Sequence, residues 1–307
     1  MTFPKWALLP GVVGIVLLLT GLVFSQRGSL TTPSEVNAST LDMPQFESLG
    51  GMRSRLSQLP PPPVQPVKPT VNAEPSYKLT YEQWVKLLAQ EARVVAQKPP
   101  EQLYVLAGDS LSLWFPVDLL PPGVTWLNQG ISGETSYGLL RRVKFLDQTK
   151  PQIIFVMIGI NDLIRGLRYE TVAANHREIM RHLKAAHPQA RIVVQSILPH
   201  GGDRATQRYQ ASVKGDPAAA QTTQPLWVKR LPVITNDSIR RLNQRLALIT
   251  QEEKVQFLDL HPLFVDPAGN LRDDLTTDGL HLSPAGYALW RSQLQSFLPA
   301  AAATVSP

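Results

Sequence analysis

An α/β domain built on a parallel sheet with helices on both faces is predicted for residues 78–307 of this 307-residue chain. Three observations lead there. Five apolar, β-branched runs recur at Tyr104–Ala107, Val124–Ile131, Ile153–Ile160, Arg191–Leu198 and Val255–Leu260. Stretches with the 3.6-residue helical period separate them. Polar turns carrying chemically useful side chains follow the runs, at the strand ends where such sheets bind ligands.

Each element has a local cause. Thr80 and Gln83 form a capping box ahead of Trp84, Leu87, Leu88, Val94 and Val95, which predicts a helix of about four turns. Helical periodicity returns at Leu139–Leu146, Val172–Ala186 and Ile239–Glu253. Ser283 followed by Pro284 caps a last helix that runs to Phe297. Strands alternating with helices pair in parallel, because each helical crossover returns the chain to the end of the sheet from which the previous strand started.

The first 77 residues follow other rules. Trp6–Phe24 is a run of 19 positions without a charge, about the thickness of a bilayer core when helical. Lys5 and the amino terminus before it, against Arg27 after it, give a weak bias toward a cytoplasmic amino end. Residues 1–24 are therefore expected to be a transmembrane anchor, with a cleaved signal peptide as the alternative. The expected location of the following domain is the extracytoplasmic side of a membrane, or the medium if the segment is cut. Residues 25–77 include LPPPPVQPVKP at Leu59–Pro69 and hold few apolar side chains, a composition that predicts an extended, unfolded spacer. Of the 27 prolines, 11 fall in residues 1–77, so the proline excess describes the spacer and not the domain.

The absence of cysteine excludes a disulfide framework, a thiol nucleophile and thiolate metal sites. The net charge of +6 is spread along the chain without a basic and aromatic recognition motif, so no nucleic-acid partner is expected. No cofactor is implied. His176, His182 and His187 fall on one predicted helix at irregular spacing, which reads as solvated helix residues and no metal site.

Four turns carry the chemistry. Gly108-Asp109-Ser110-Leu111 ends the first run, where a serine hydroxyl can enter the cleft beside a helix amino terminus; a helix cap is the plain alternative. Gly130-Ile131-Ser132-Gly133-Glu134-Thr135 ends the second, with glycines that let backbone approach a ligand. Gly159-Ile160-Asn161-Asp162 ends the third and places a carboxamide donor on the same rim, unless the asparagine serves its own turn. Asp278-Gly279-Leu280-His281 precedes the last helix, and a carboxylate three residues before an imidazole in a tight turn can hold one ring nitrogen while the other accepts a proton. Four unrelated turns would not be expected to supply a nucleophile, a base, its carboxylate and oxyanion donors together. His261, two residues after Asp259, is expected at the end of the fifth strand, where it could line the rim and offers a second pair with poorer geometry.

These four blocks, in this order, resemble the SGNH hydrolases, also called GDSL esterases and lipases, over residues from about 100 to 299. The resemblance implies a three-layer α/β/α sandwich with a five-stranded parallel sheet of flavodoxin-like type. It implies Ser110 as nucleophile, His281 as general base and acid, and Asp278 as the group that orients His281. The backbone amides of Ser110 and Gly133, with the Asn161 side chain, would form the oxyanion hole. The expected reaction is hydrolysis of carboxylic esters carrying small acyl groups, on envelope glycans or lysophospholipids. Two other readings remain open: an O-acyltransferase using the same triad, and a catalytically silent envelope binding protein. Residues 200–235, with five basic and two acidic side chains and Trp227, form a long connection after the fourth run that reads either as a lid over the cleft or as a solvated insertion.

Overall fold

The computed structural model describes residues 79–213 and 225–298. The expected anchor at 1–24 and spacer at 25–77 lie outside the described residues, as does the middle of the 200–235 insertion. Among the described residues no helix is long and apolar enough to cross a membrane.

Helix α1 (Tyr81–Gln97) opens the domain on the expected capping box, with Gln83 N–H donating to Thr80 Oγ1 and Thr80 N–H to Gln83 Oε1. Then follow β1 (Leu103–Gly108), a short α2 (Ser110–Leu113), β2 (Thr125–Gly130), α3 (Ser136–Arg142), β3 (Ile153–Met157), a short α4 (Ile160–Ile164), α5 (Tyr169–Ala186) and β4 (Arg191–Gln195). The chain continues through α6 (Asp203–Val213), α7 (Leu226–Arg230), α8 (Asn236–Glu252), β5 (Gln256–Leu258), α9 (His261–Phe264) and α10 (Pro284–Gln295). The five strands form one parallel sheet in the order β2-β1-β3-β4-β5. This is the doubly wound arrangement, whose ligand crevice opens beside β1, where the strand order reverses.

Alternation along each strand sorts the core into two faces. Tyr104, Leu106, Ile153, Phe155, Met157 and Val193 pack on one side with Phe115, Phe264, Tyr287 and Trp290, from α10 and its surroundings. Leu103, Val105, Ala107, Ile154, Val156 and Ile192 face the other way onto Ala92 of α1, Leu139 of α3 and Ile179 and Leu183 of α5. Val194 continues that second face onto α5 and α8. The sheet is thus covered on both sides, as the unbroken apolar runs required.

Three expectations need correction. The third and fourth strands end several residues earlier than their apolar runs. At β3 the cause is Gly159, whose φ of +131° turns the chain into α4. His261 starts α9 and does not end β5. Two of these histidines are not solvated, since His176 is fully buried and His187 is buried, while His182 is partly exposed and its Nε2 meets Asp147 Oδ1 at 2.7 Å. A histidine can occupy a core helix face when a carbonyl accepts its proton, and His176 Nε2 lies 3.0 Å from Ile158 O, so that nitrogen carries the hydrogen. The described parts of the 200–235 insertion are α6, α7 and a 3-10 turn at Leu231–Val233, with Ala205, Val228 and Leu231 fully buried.

Burial lowers the His176 pKa from 6.5 to about 4, against the weaker pull of its bond to Ile158. The folded state therefore needs the neutral ring, and its contribution is complete above about pH 6.5 and lost as pH falls toward 4. The stability advantage of the wild type over His176→Gln, read from urea midpoints, is expected to shrink by about 2 to 4 kcal/mol between pH 7 and pH 4. A pH-independent difference would remove this role from His176.

Candidate active site

The register of the sheet brings the candidate residues side by side. Gly108 of β1 pairs with Gly130 of β2 and Met157 of β3. Ser110, Gly133 and Asn161 follow those three positions by two to four residues, so they leave adjacent strands at one rim. The glycine before the serine is required by space: a Cβ on Gly108 would fall 2.3 Å from Met157 O and 2.5 Å from Ser112 Oγ. One on Gly130 would fall 2.4 Å from Leu113 N. Both glycines let α2 sit directly against the strand ends.

Ser110 is the first residue of α2, behind Asp109, whose Oδ1 accepts the Leu111 N–H at 3.0 Å. Its own amide is among those a helix start leaves without an intrahelical partner. Ser110 Oγ lies 3.2 Å from His281 Nε2, and both residues are buried. His281 Nδ1 lies 2.7 Å from Asp278 Oδ2. A carboxylate there accepts the Nδ1 hydrogen, which leaves the neutral ring's Nε2 lone pair toward the serine. Asp278 Oδ1 also accepts the backbone N–H groups of Leu280 and His281. Burial, the largest single influence, pushes the Asp278 pKa up, but His281 and these hydrogen bonds together hold it below the usual carboxylate range. The tight turn needs Gly279, at φ +90°, where a Cβ would fall 2.3 Å from Ala205 Cβ of α6.

In the turn after β2, Gly133 adopts φ +76° and its carbonyl accepts a hydrogen bond from Arg165 Nη2 at 2.9 Å. Asn161 Nδ2 is buried with no hydrogen-bond partner among the described residues. Leaving such a donor unpaired costs about 1–3 kcal/mol, so the site holds a donor without its acceptor. His261 takes no part in this cluster; its backbone N–H, not its ring, meets Asp259, and its Nε2 is buried without a partner.

Two buried ties hold the rim. Arg142 donates Nε to Glu134 Oε2 at 2.7 Å, Nη1 to Gln129 O at 2.8 Å and Nη2 to Gly108 O at 3.1 Å. Burial lowers the Arg142 pKa, and Glu134 opposes the shift. Gly138 leaves room for this pair, because a Cβ there would fall 1.8 Å from Glu134 Oε1. Asp162 accepts Ser136 N–H at 2.8 Å and Ser136 Oγ–H at 2.6 Å, which fastens the turn after β3 to the start of α3. Sequence reasoning missed these supports, although Arg142 stands among Leu139, Val143 and Leu146 on the apolar face of its helix, where a charge needs a buried partner. It also missed Trp114, whose ring lies 4.2 Å from His281 between centroids. Among the described residues no group of three or more metal-ligating side chains occurs.

This site, on a doubly wound sheet with a serine at the end of the first strand, defines a class of acyl-transferring hydrolases. The GDSL-like Lipase/Acylhydrolase family model matches residues 107–289, and the chain belongs to that family, the SGNH hydrolases, as an enzyme acting on ester bonds. It is 28% identical over 227 residues to platelet-activating factor acetylhydrolase IB subunit alpha1 of Bos taurus, covering 70% of this chain and 82% of that one. Subunit alpha2 of Rattus norvegicus is 30% identical over 202 residues, covering 62% and 72%. A solved Streptococcus pneumonia protein named for platelet activating factor superposes with a TM-score of 0.58 at 25% identity, over 71% of this chain and 96% of that one.

Glu134→Gln removes one partner of a buried ion pair and keeps its shape, so a loss of roughly 3–5 kcal/mol of stability is expected in urea titrations. A change below about 1 kcal/mol would show that the pair is not what holds the strand ends.

Proposed function

We propose that the chain is a serine esterase in which Ser110 attacks the ester carbonyl, His281 moves the proton and Asp278 fixes the His281 ring. The observation that carries this reading is the continuous contact from Ser110 Oγ through His281 to Asp278, beside the unpaired Asn161 donor.

The steps follow from the atoms. His281 Nε2 takes the Ser110 hydrogen as Oγ bonds to the carbonyl carbon. The resulting oxyanion accepts hydrogen bonds from the amides of Ser110 and Gly133 and from Asn161 Nδ2, which exchanges an unsatisfied donor for a charge-assisted bond. The imidazolium, stabilised by Asp278, returns the proton to the departing alcohol. Water then repeats the sequence on the acyl-serine, and the acid leaves. The substrates proposed are esters of small acyl groups, such as acetyl, on envelope glycans or lysophospholipids. Support for the small acyl group comes from the relatives named as acetylhydrolases. We also propose that residues 1–24 anchor the domain to a membrane and that 25–77 hold it away, on the strength of the uncharged run Trp6–Phe24 and the prolines that follow.

Ser110→Ala is expected to abolish hydrolysis of p-nitrophenyl acetate with an unchanged circular dichroism spectrum. Asn161→Ala is expected to lower kcat by about 10²–10³ with KM little affected, since its bond forms to the oxyanion alone. Full turnover in Ser110→Ala would overturn the assignment. For the anchor, the full-length chain should stay with membranes through a carbonate wash, while a chain lacking residues 1–24 should be released.

A further inference from the structure

We infer that Trp227, carried by the insertion, forms the wall of the leaving-alcohol subsite and selects esters whose alcohol presents a ring with an apolar C–H or π face. The inference rests on the assignment of Ser110 and His281 above and concerns the half of the substrate which that assignment leaves open.

The side on which the alcohol lies follows from the proton's path. During acylation the Ser110 Oγ–C bond forms, the C–O bond to the alcohol breaks, and the serine proton passes by way of His281 Nε2 to the alcohol oxygen. That oxygen must therefore come within about 3 Å of Nε2. The carbonyl oxygen is taken by the proposed donors at Ser110, Gly133 and Asn161 and not by His281. Whatever flanks the His281 ring thus flanks the alcohol.

Two indoles do so. Trp114 lies against the His281 ring at 4.2 Å and 39°, and it packs on the α10 side of the sheet. Trp227 stands edge-on to the same ring at 6.0 Å and 88°, and belongs to the opposite core. Trp227 is half-buried and retains exposed surface. Its placement is built in. Tyr209 of α6 meets it edge-on at 5.8 Å, Thr206 Oγ1 donates to Val228 O at 3.0 Å, and Arg230 Nε donates to Ile164 O of α4 at 3.2 Å. Ala205 of α6 and Leu280, the residue before His281, share one core cluster with Leu231. The insertion is thereby fastened both to the turn that carries His281 and to the turn that carries Asn161. A ring-shaped alcohol entering beside Nε2 meets an aromatic surface, whereas a short aliphatic alcohol leaves it uncovered.

Because the acyl-enzyme no longer contains the alcohol, Trp227 should act on acylation alone. The test compares acetates of phenol, of a methyl glucoside and of ethanol, with Ser110→Ala as blank. The wild type should show higher kcat/KM for the ring acetates than for ethyl acetate. Trp227→Ala and the volume-conserving Trp227→Leu should lower that ratio about tenfold, and Trp227→Phe should restore most of it. The relative contributions of the phenyl and glucoside arms distinguish an aromatic from a pyranose alcohol. The deacylation rate from burst kinetics, and the rank order of p-nitrophenyl acetate, butyrate and octanoate, should match the wild type. A variant that alters the acyl rank order while leaving the alcohol ratio in place would overturn the inference, as would a ratio unmoved in all three variants. A wild type that hydrolyses none of these acetates would overturn the esterase assignment itself.

Discussion

The rim of this molecule depends on one buried guanidinium. Gly108 O at the end of β1 already accepts the Ile131 N–H at 3.2 Å and keeps a second lone pair, and the ends of β1 and β2 must stay in register for the turns that carry Ser110 and Gly133. Arg142 serves both, binding Gly108 O, Gln129 O and Glu134 at once. A planar group with five fixed donors suits this task, where an ammonium could not span three directions with the same rigidity. Its charge is tolerated because Glu134 is equally buried beside it. Several residues exist in support of that pair: Gly138 by having no side chain, Thr135 by capping α3 so that Arg142 sits at its far end, and Tyr81 by reaching Glu134 from α1.

From that fixed point the rest of the rim is built by short polar ties between neighbouring strand ends. Asp162 binds Ser136, and Asn175 of α5 donates to the same hydroxyl. Farther along, Asn243 of α8 pairs both ways with the Ile197 backbone, and Ser196 Oγ accepts the amides of Leu260 and His261. Trp290 of α10 reaches the end of β4 by donating to Gln195 Oε1. These bonds lie where the apolar runs stop being strand, and they give the backbone at Ile197, Leu260 and His261 side-chain partners in place of a ladder. The same dryness acts on ionisable groups with opposite sign. Burial raises Asp109 to about 7, against its bond from Leu111, whereas it lowers His176. Asp109 thus favours the fold when protonated and opposes it as pH rises from about 4 through 7, while the neutral His176 does the reverse.

The insertion after β4 shows what composition leaves undecided. Its length and five basic residues left a lid and a solvated insertion both open, and its described parts are helical and contribute to the second core. Charged side chains at its surface coexist with a buried stripe of Ala205, Val228 and Leu231. Arg230, one of the basic residues, is engaged with the Ile164 carbonyl. This segment carries the second of the two indoles beside His281.

Much of this was legible in the sequence alone. The fold class followed from strand and helix periodicity, because burial on both faces leaves a recognisable apolar run in each strand. The candidate residues Ser110, Gly133, Asn161, Asp278 and His281 were legible because their turns need particular local chemistry: glycine where φ is positive at 133 and 279, a carboxylate three residues before an imidazole, a serine directly after a strand. Such demands are satisfied within a few residues and so are written locally. The tertiary structure alone decided which distant groups support them. Arg142 joins backbone atoms 13 and 34 residues away, Trp227 stands beside a histidine more than fifty positions later, and the three helix-borne histidines separate into buried and paired positions. These contacts depend on register and helix packing, which no short window of sequence contains, and on the dry interior that makes each of them necessary.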